Sequence, residues 1–116
     1  MLQSTLIKAK MVDGVLVATI VCEKIGQFET GIIEGELLPA VRNTGHRLAL
    51  DFSSVQLVSS VGLGMLVTLN RNCRAGKGKM AIFGLSDNLT HLLKATKLDS
   101  GLTLVRDEAS AVKAAK

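Results

Sequence analysis

The stretch LALDFSSVQLVSSVGLGMLV, residues 48–67, decides how this chain is read. It begins inside RLALDF, residues 47–52, a short apolar run that reads as a strand and carries Asp51 at its end. Residues 53–58 read as a turn with one extended pair. Two adjacent serines, Ser59 and Ser60, then stand directly before the strongest helical signal in the chain, residues 61–74. There Leu63, Leu66, Val67 and Cys73 recur on one face at i, i+3, i+4 spacing. Arg71 and Arg74 fall in the last turns, where the helix dipole favours cations.

The same alternation continues on both sides. Upstream, residues 5–10 read as an edge strand, and Asp13-Gly14 is a hairpin dipeptide. VLVATIVC, residues 15–22, is a β-branched run that reads as a strand buried on both faces. Residues 23–30 are polar and leave their structure open. IIEGELLPAVR, residues 32–42, places Ile33, Leu37, Leu38 and Val41 at helical spacing, with Pro39 expected to kink the helix or mark its first turn. Asn43-Thr44-Gly45 ends it. Downstream, Ala75-Gly76-Lys77-Gly78 stops the central helix, and KMAIFG, residues 79–84, reads as a strand. Residues 87–96 form a helix with Leu89, Leu92 and Leu93 inward. Residues 102–105 give a last short strand, and residues 107–114 a terminal helix with two acids in its first turn. The order β-β-α-β-α-β-α-β-α implies an α/β fold. The expected architecture is one small domain, residues 1–116, with a mixed, mostly parallel sheet of about five strands. A hairpin opens the sheet, and four helices pack around it.

Composition narrows the function. A chain of 116 residues buries about two-thirds of its unfolded surface, enough for a core without staples. Apolar residues make up 47%, but aromatics only 3%, with no Trp or Tyr, which argues against stacking platforms for single-stranded nucleic acid. The net charge of +4 comes from Lys and Arg scattered through the C-terminal half, and helix-end electrostatics account for most of them. Cys22 and Cys73 are far apart and read as buried thiols of a reducing compartment. No secretory signal and no apolar run of membrane-spanning length is visible, so the expected location is cytoplasmic, without membrane insertion.

No enzyme chemistry converges. His46 and His91 have no Cys, Asp or Glu at metal-ligand spacing. Asp51, at a strand end, is expected to shape the following loop through hydrogen bonds. Gly62-Leu63-Gly64 is not a dinucleotide fingerprint, because Val67 stands where the third glycine belongs. Gly76-Lys77-Gly78-Lys79 lacks the first Gly and the Ser/Thr of a phosphate-binding Walker loop. The sequence therefore predicts no catalytic residue, no metal and no cofactor. The serines remain. One helix cap needs one serine, and Gly62 and Gly64 in the first turn cost helix stability while opening the backbone to close approach. Met65 and Leu69 fall at the rim of the apolar stripe, where they could supply a contact surface. A phosphate on Ser60 would sit at a helix N-terminus, which accepts anions, and would add about −1.5 to −2 charges.

Residues 48–67 resemble the STAS domain family, whose founding members are bacterial anti-sigma factor antagonists. In that family a strand ends in Leu-Asp, a short turn follows, and Asp-Ser-Ser-Gly-Leu-Gly or Asp-Ser-Thr-Gly-Leu-Gly opens a helix. Aligned on Gly62-Leu63-Gly64, Ser60 takes the phosphoacceptor position, Ser59 stands in place of the family's Asp, and Val61 in place of the second Ser/Thr. The resemblance covers nearly the whole chain and implies the STAS fold. It also implies a non-catalytic partner-switching protein that regulates transcription indirectly. When unphosphorylated it binds an anti-sigma factor that is also a serine kinase. Phosphorylation of Ser60 releases the partner, and a phosphatase resets the switch. Ser59, Ser60, Gly62, Gly64 and Met65 would form the partner-binding surface. The alternative that the resemblance allows is a constitutive STAS scaffold subunit of a signalling or lipid-transport complex, without a phosphoswitch.

Overall fold

The computed structural model describes residues 6–116. Strand β1 (Ile7–Val12) pairs antiparallel with β2 (Val15–Ile20) through Asp13 and Gly14. Both turn residues have positive φ, 51° and 80°, the conformation that lets a two-residue loop match the twist of the strands. Thr5, where the first strand was expected to begin, lies outside the described residues. The chain continues through β3 (Lys24–Ile25), α1 (Gln27–Asn43), β4 (Arg47–Asp51), β5 (Leu57–Val58), α2 (Ser60–Ala75) and β6 (Lys79–Phe83). It closes with α3 (Asp87–Ala95), a 3-10 turn (Leu98–Ser100), β7 (Thr103–Leu104) and α4 (Glu108–Ala115).

The main sheet has the order β1-β2-β4-β6-β7, antiparallel only between β1 and β2. This is the mixed, mostly parallel five-stranded sheet with four helices that the element order predicts. Its two faces are buried differently. Leu16, Ala18, Ile20, Leu48, Leu50, Met80 and Ile82 point into the larger core, which also takes Ile33, Leu37 and Val41 of α1 and Leu66 and Leu69 of α2. Val15, Val17, Ala49, Ala81 and Phe83 point the other way, onto Ala111, Val112 and Ala115 of α4. The alternation inside VLVATI thus serves two cores, and small Ala residues at the centre let α4 lie close to the sheet. At the edges, β7 is two residues long, and β1 carries the exposed Lys8 and Lys10. Lys10 reaches Glu108 of α4 at 3.2 Å, a surface pair.

Two segments depart from the sequence reading. Residues 23–30 contain β3 and the first turn of α1, which starts five residues earlier than the apolar spacing indicated. Glu29 supplies the missing start signal: its Oε1 accepts the Gly26 N–H at 2.9 Å. Pro39 neither marks the first turn nor ends α1, which runs through it to Asn43. The proline ring is exposed and sits late in the helix, while Ile33, Leu37 and Val41, fully buried, hold both sides of it against the core. Packing outweighs the lost hydrogen bond.

The turns at the far end of the helices interlock. His46, at φ 62°, packs its ring against Gly76 and lays its carbonyl against Gly78. A Cβ on Gly76 would stand 2.1 Å from the His46 ring, and one on Gly78 1.7 Å from its carbonyl oxygen. The two glycines therefore serve packing of the turn. Gly78→Ala is expected to lower the unfolding free energy by about 3 kcal/mol or more, because the clash is with backbone that cannot rotate away; urea denaturation would measure it.

Candidate functional site

Beyond the main sheet, β3 and β5 form a second, two-stranded parallel sheet, with Lys24 opposite Leu57 and Ile25 opposite Val58. Each strand leads directly into a helix, so the pairing sets the starts of α1 and α2 side by side. The Glu23 carbonyl accepts the N–H groups of Gln56 and Leu57 at 2.7 and 3.0 Å, and the Ile25 carbonyl accepts that of Ser59 at 2.9 Å. The loop into β5 is pinned from below. Asp51 Oδ1 accepts the Ser53 N–H at 2.9 Å, while its Oδ2 takes the Thr19 hydroxyl at 3.3 Å. Val55 is wholly buried in that loop. Asp51 thus acts on the chain through hydrogen bonds to its own loop and to β2.

The two serines divide their roles. Ser59 is the cap: its backbone is extended and its Oγ accepts the Gly62 N–H at 3.2 Å. Ser60 is the first residue of α2, exposed, and among the described residues its hydroxyl has no hydrogen-bond partner. The first turn of α2 contains no acidic residue, so the positive end of the helix dipole is uncompensated beside that hydroxyl. Asp and Ser cap helices about equally well. Ser59 therefore caps the helix without adding a charge.

The glycines and Met65 behave differently from the sequence expectation. Gly62 is buried: a Cβ there would stand 2.6 Å from Val58 Cγ1 and 3.2 Å from the Ile25 carbonyl oxygen. Its close approach is to β3 and β5, inside the molecule. Gly64 is exposed, with open space where a Cβ would project. Met65 and Leu69, expected at the rim of the apolar stripe, are core residues at 2% and 0% exposure and present no surface. The helix is rotated so that Gly62, Met65, Leu66, Leu69 and Cys73 face inward, with Leu63 and Val67 at the margin.

The exposed apolar surface lies elsewhere. Phe28, Leu57 and Val61 are 75%, 55% and 49% exposed, and among the described residues the other large exposed hydrophobic is Met11. Phe28 lies three residues past Ile25 and Val61 three past Val58, in the first turns of the two helices whose starts the β3–β5 pair sets side by side, and Leu57 is itself a residue of β5. Phe28 was hidden in the polar run 23–30, where its isolation among polar neighbours was the one available signal.

The remaining candidates fall outside this region. His91 is exposed on α3, and His46 is clamped in its turn. Cys73 is fully buried, and burial pushes its thiol up to about 11. Cys22 is only half-buried, against the expectation of a core residue; burial and then the charge of Glu29 raise its pKa. Among the described residues no group of three His, Cys, Asp or Glu side chains could hold a metal ion, and no helix is long and apolar enough to cross a membrane.

The fold is a mixed, mostly parallel sheet opened by a hairpin, with a capped, serine-bearing helix start on the crossover from β4 to β6. Residues 9–111 match the family model of the STAS domain, and the chain belongs to that family. Solved structures of similar fold include an anti-sigma factor antagonist from Mycobacterium paratuberculosis, 20% identical, with a TM-score of 0.82 over 94% of this chain and 92% of that one. An anti-sigma-factor antagonist (STAS) domain protein from Planctomyces limnophilus is 18% identical, with a TM-score of 0.81 over 93% and 96%. The Bacillus cell-fate determinant SpoIIAA in its phosphorylated form is 13% identical, with a TM-score of 0.67 over 90% and 95%. No curated protein matches the sequence significantly.

Two pairs of substitutions test this geometry by urea or thermal unfolding. Ser59→Ala is expected to cost about 1 kcal/mol as the cap is lost, and Ser60→Ala to leave stability within about 0.5 kcal/mol. Gly62→Ala is expected to destabilise by about 1–3 kcal/mol through overpacking. Gly64→Ala should stabilise by up to about 1 kcal/mol, because it removes a helical glycine without a clash.

Proposed function

We propose that this chain is an anti-sigma factor antagonist that works by partner switching, with residues 1–116 forming one STAS unit in the cytoplasm. The observation that carries the reading is the state of Ser60: exposed, free of any capping duty, and set at a helix N-terminus beside the exposed apolar side chains Val61, Leu57 and Phe28. In the unphosphorylated form that surface binds an anti-sigma factor that is itself a serine kinase. Partner contact comes from Ser60, Val61, Gly64, Leu57 and Phe28, with the half-buried Ser59 at its margin. The domain has no catalysis of its own and contacts no nucleic acid directly; its effect on transcription passes through the partner.

Phosphate transfer to Ser60 places about two negative charges where an apolar partner surface must pack. The first-turn N–H groups and the helix dipole tolerate that anion, so the fold survives while the complex does not. The likeness to SpoIIAA, whose structure is known in a phosphorylated form, supports a fold that accommodates such a group. Removal of the phosphate by a phosphatase restores binding.

Affinity capture from native lysate, with mass spectrometry of the retained proteins, tests the reading. Wild type and Ser60→Ala are expected to retain a kinase-type anti-sigma partner, and Ser60→Asp to retain at least tenfold less. Phe28→Ala and Val61→Asp should weaken retention without unfolding the chain. Equal retention of one stoichiometric partner by wild type and Ser60→Asp would favour a constitutive scaffold subunit instead.

A further inference from the structure

At the opposite end of α2 from Ser60, an open cleft of about 440 Å³ lies between the α2–β6 turn, Thr103 of β7 and Ala114 of α4. Its charged lining is Arg74, Lys77 and Lys79, and no carboxylate lines it. Among the described residues none of the three forms an ion pair or a side-chain hydrogen bond. Arg74 sits in the last turn of α2, where the dipole accounts for a cation. Lys77 and Lys79 lie beyond the helix and have no such account.

Two features fix how these cations are presented. Lys79 opens β6 in register with Arg47 of β4, but the Arg47 guanidinium lies toward Gly14 of the hairpin, so the cleft side of Lys79 is left to Arg74 and Lys77. Lys77 has φ 66° in the turn that closes α2, where the Gly78 N–H donates to the Cys73 carbonyl at 2.8 Å, and the flanking Gly76 and Gly78 lock that turn onto His46. The cations therefore project from a backbone held in place before any ligand arrives. No aromatic side chain lines the cleft, so nothing there would stack on a base; recognition rests on charge.

We propose that this cleft binds a phosphate-bearing anion with at least two negative charges. Arg74 grips its oxygens through paired N–H groups, Lys77 and Lys79 act as point charges, and the Thr103 hydroxyl adds a neutral donor. The group arrives either on a small soluble molecule or on a lipid headgroup. This site is separate from Ser60, and its test is independent of the partner-switching reading.

The full chain, labelled with nitrogen-15, is titrated with pyrophosphate at low salt and followed by amide chemical shifts. Saturable shifts concentrated at residues 76–80 and 103 are expected. Lys77→Gln combined with Lys79→Gln should weaken binding at least tenfold, and Lys94→Gln, on α3 outside the cleft, less than twofold. Shifts spread over all Lys and Arg positions, no saturation, or equal losses in the Lys94 variant would overturn the site. Co-sedimentation with phosphatidylcholine vesicles containing phosphatidic acid separates the sources. Retention that depends on Lys77 and Lys79 assigns a lipid headgroup, and pyrophosphate binding without retention assigns a soluble ligand; both support the site.

Discussion

Parallel pairing governs this molecule. Adjacent parallel strands cannot be joined by a tight turn, so each pair along β2, β4, β6 and β7 needs a crossover that carries the chain back to the starting end. Helices α1, α2 and α3 supply those returns. Each of the three therefore begins near the ends of the strands and finishes near their starts. Helix N-termini, with their unpaired N–H groups, collect at one pole, and helix C-termini with the attendant Lys and Arg collect at the other. The location of Ser60 and the location of the basic cleft are both consequences of strand direction.

Within that frame, the β3–β5 pair decides what the first pole can do. Four backbone positions on two very short strands bring the start of α2 against the start of α1, and Gly62 lets the contact close because it has no side chain to interpose. Ser59 is consumed by the cap and by the Ile25 carbonyl, which leaves Ser60 as the hydroxyl in solvent. Two adjacent residues of the same type thus differ in environment by one position along a helix: the residue before its first turn turns its oxygen inward, and the next turns it out.

Much of this was legible in the sequence. The β-branched run 15–22, of which residues 15–20 form β2, the Asp13-Gly14 hairpin and the periodicity of residues 61–74 each carry a local signal strong enough to survive tertiary context. The surplus serine before the helix and the motif register both singled out Ser60, which lies exposed at the first position of α2. What stayed hidden depended on long-range contact. The start of α1 rests on Glu29 reaching back to Gly26, in a stretch without apolar periodicity. The rotation of α2 that buries Met65 and Leu69 is set by which face meets α1 and the sheet, and a wheel drawn from Leu63 and Val67 misplaces it by a fraction of a turn. Phe28, isolated in the chain, gains meaning only when β3 pairs with β5. Gly76 and Gly78 read as a simple stop signal, whereas their spacing answers to His46, some thirty residues earlier.

The edges of the main sheet bear on how any macromolecule can engage it. Recognition by strand addition requires a long, accessible row of backbone donors and acceptors. Here β7 offers only Thr103–Leu104 before the chain turns toward α4, and β1 dresses its length with Lys8 and Lys10, whose ammonium groups resist the desolvation that a docking strand imposes. Backbone zippering is therefore disfavoured at both borders. A macromolecule that engages the domain at either border must do so by side chains and helix ends rather than by added strands, so single substitutions there weigh more than backbone geometry.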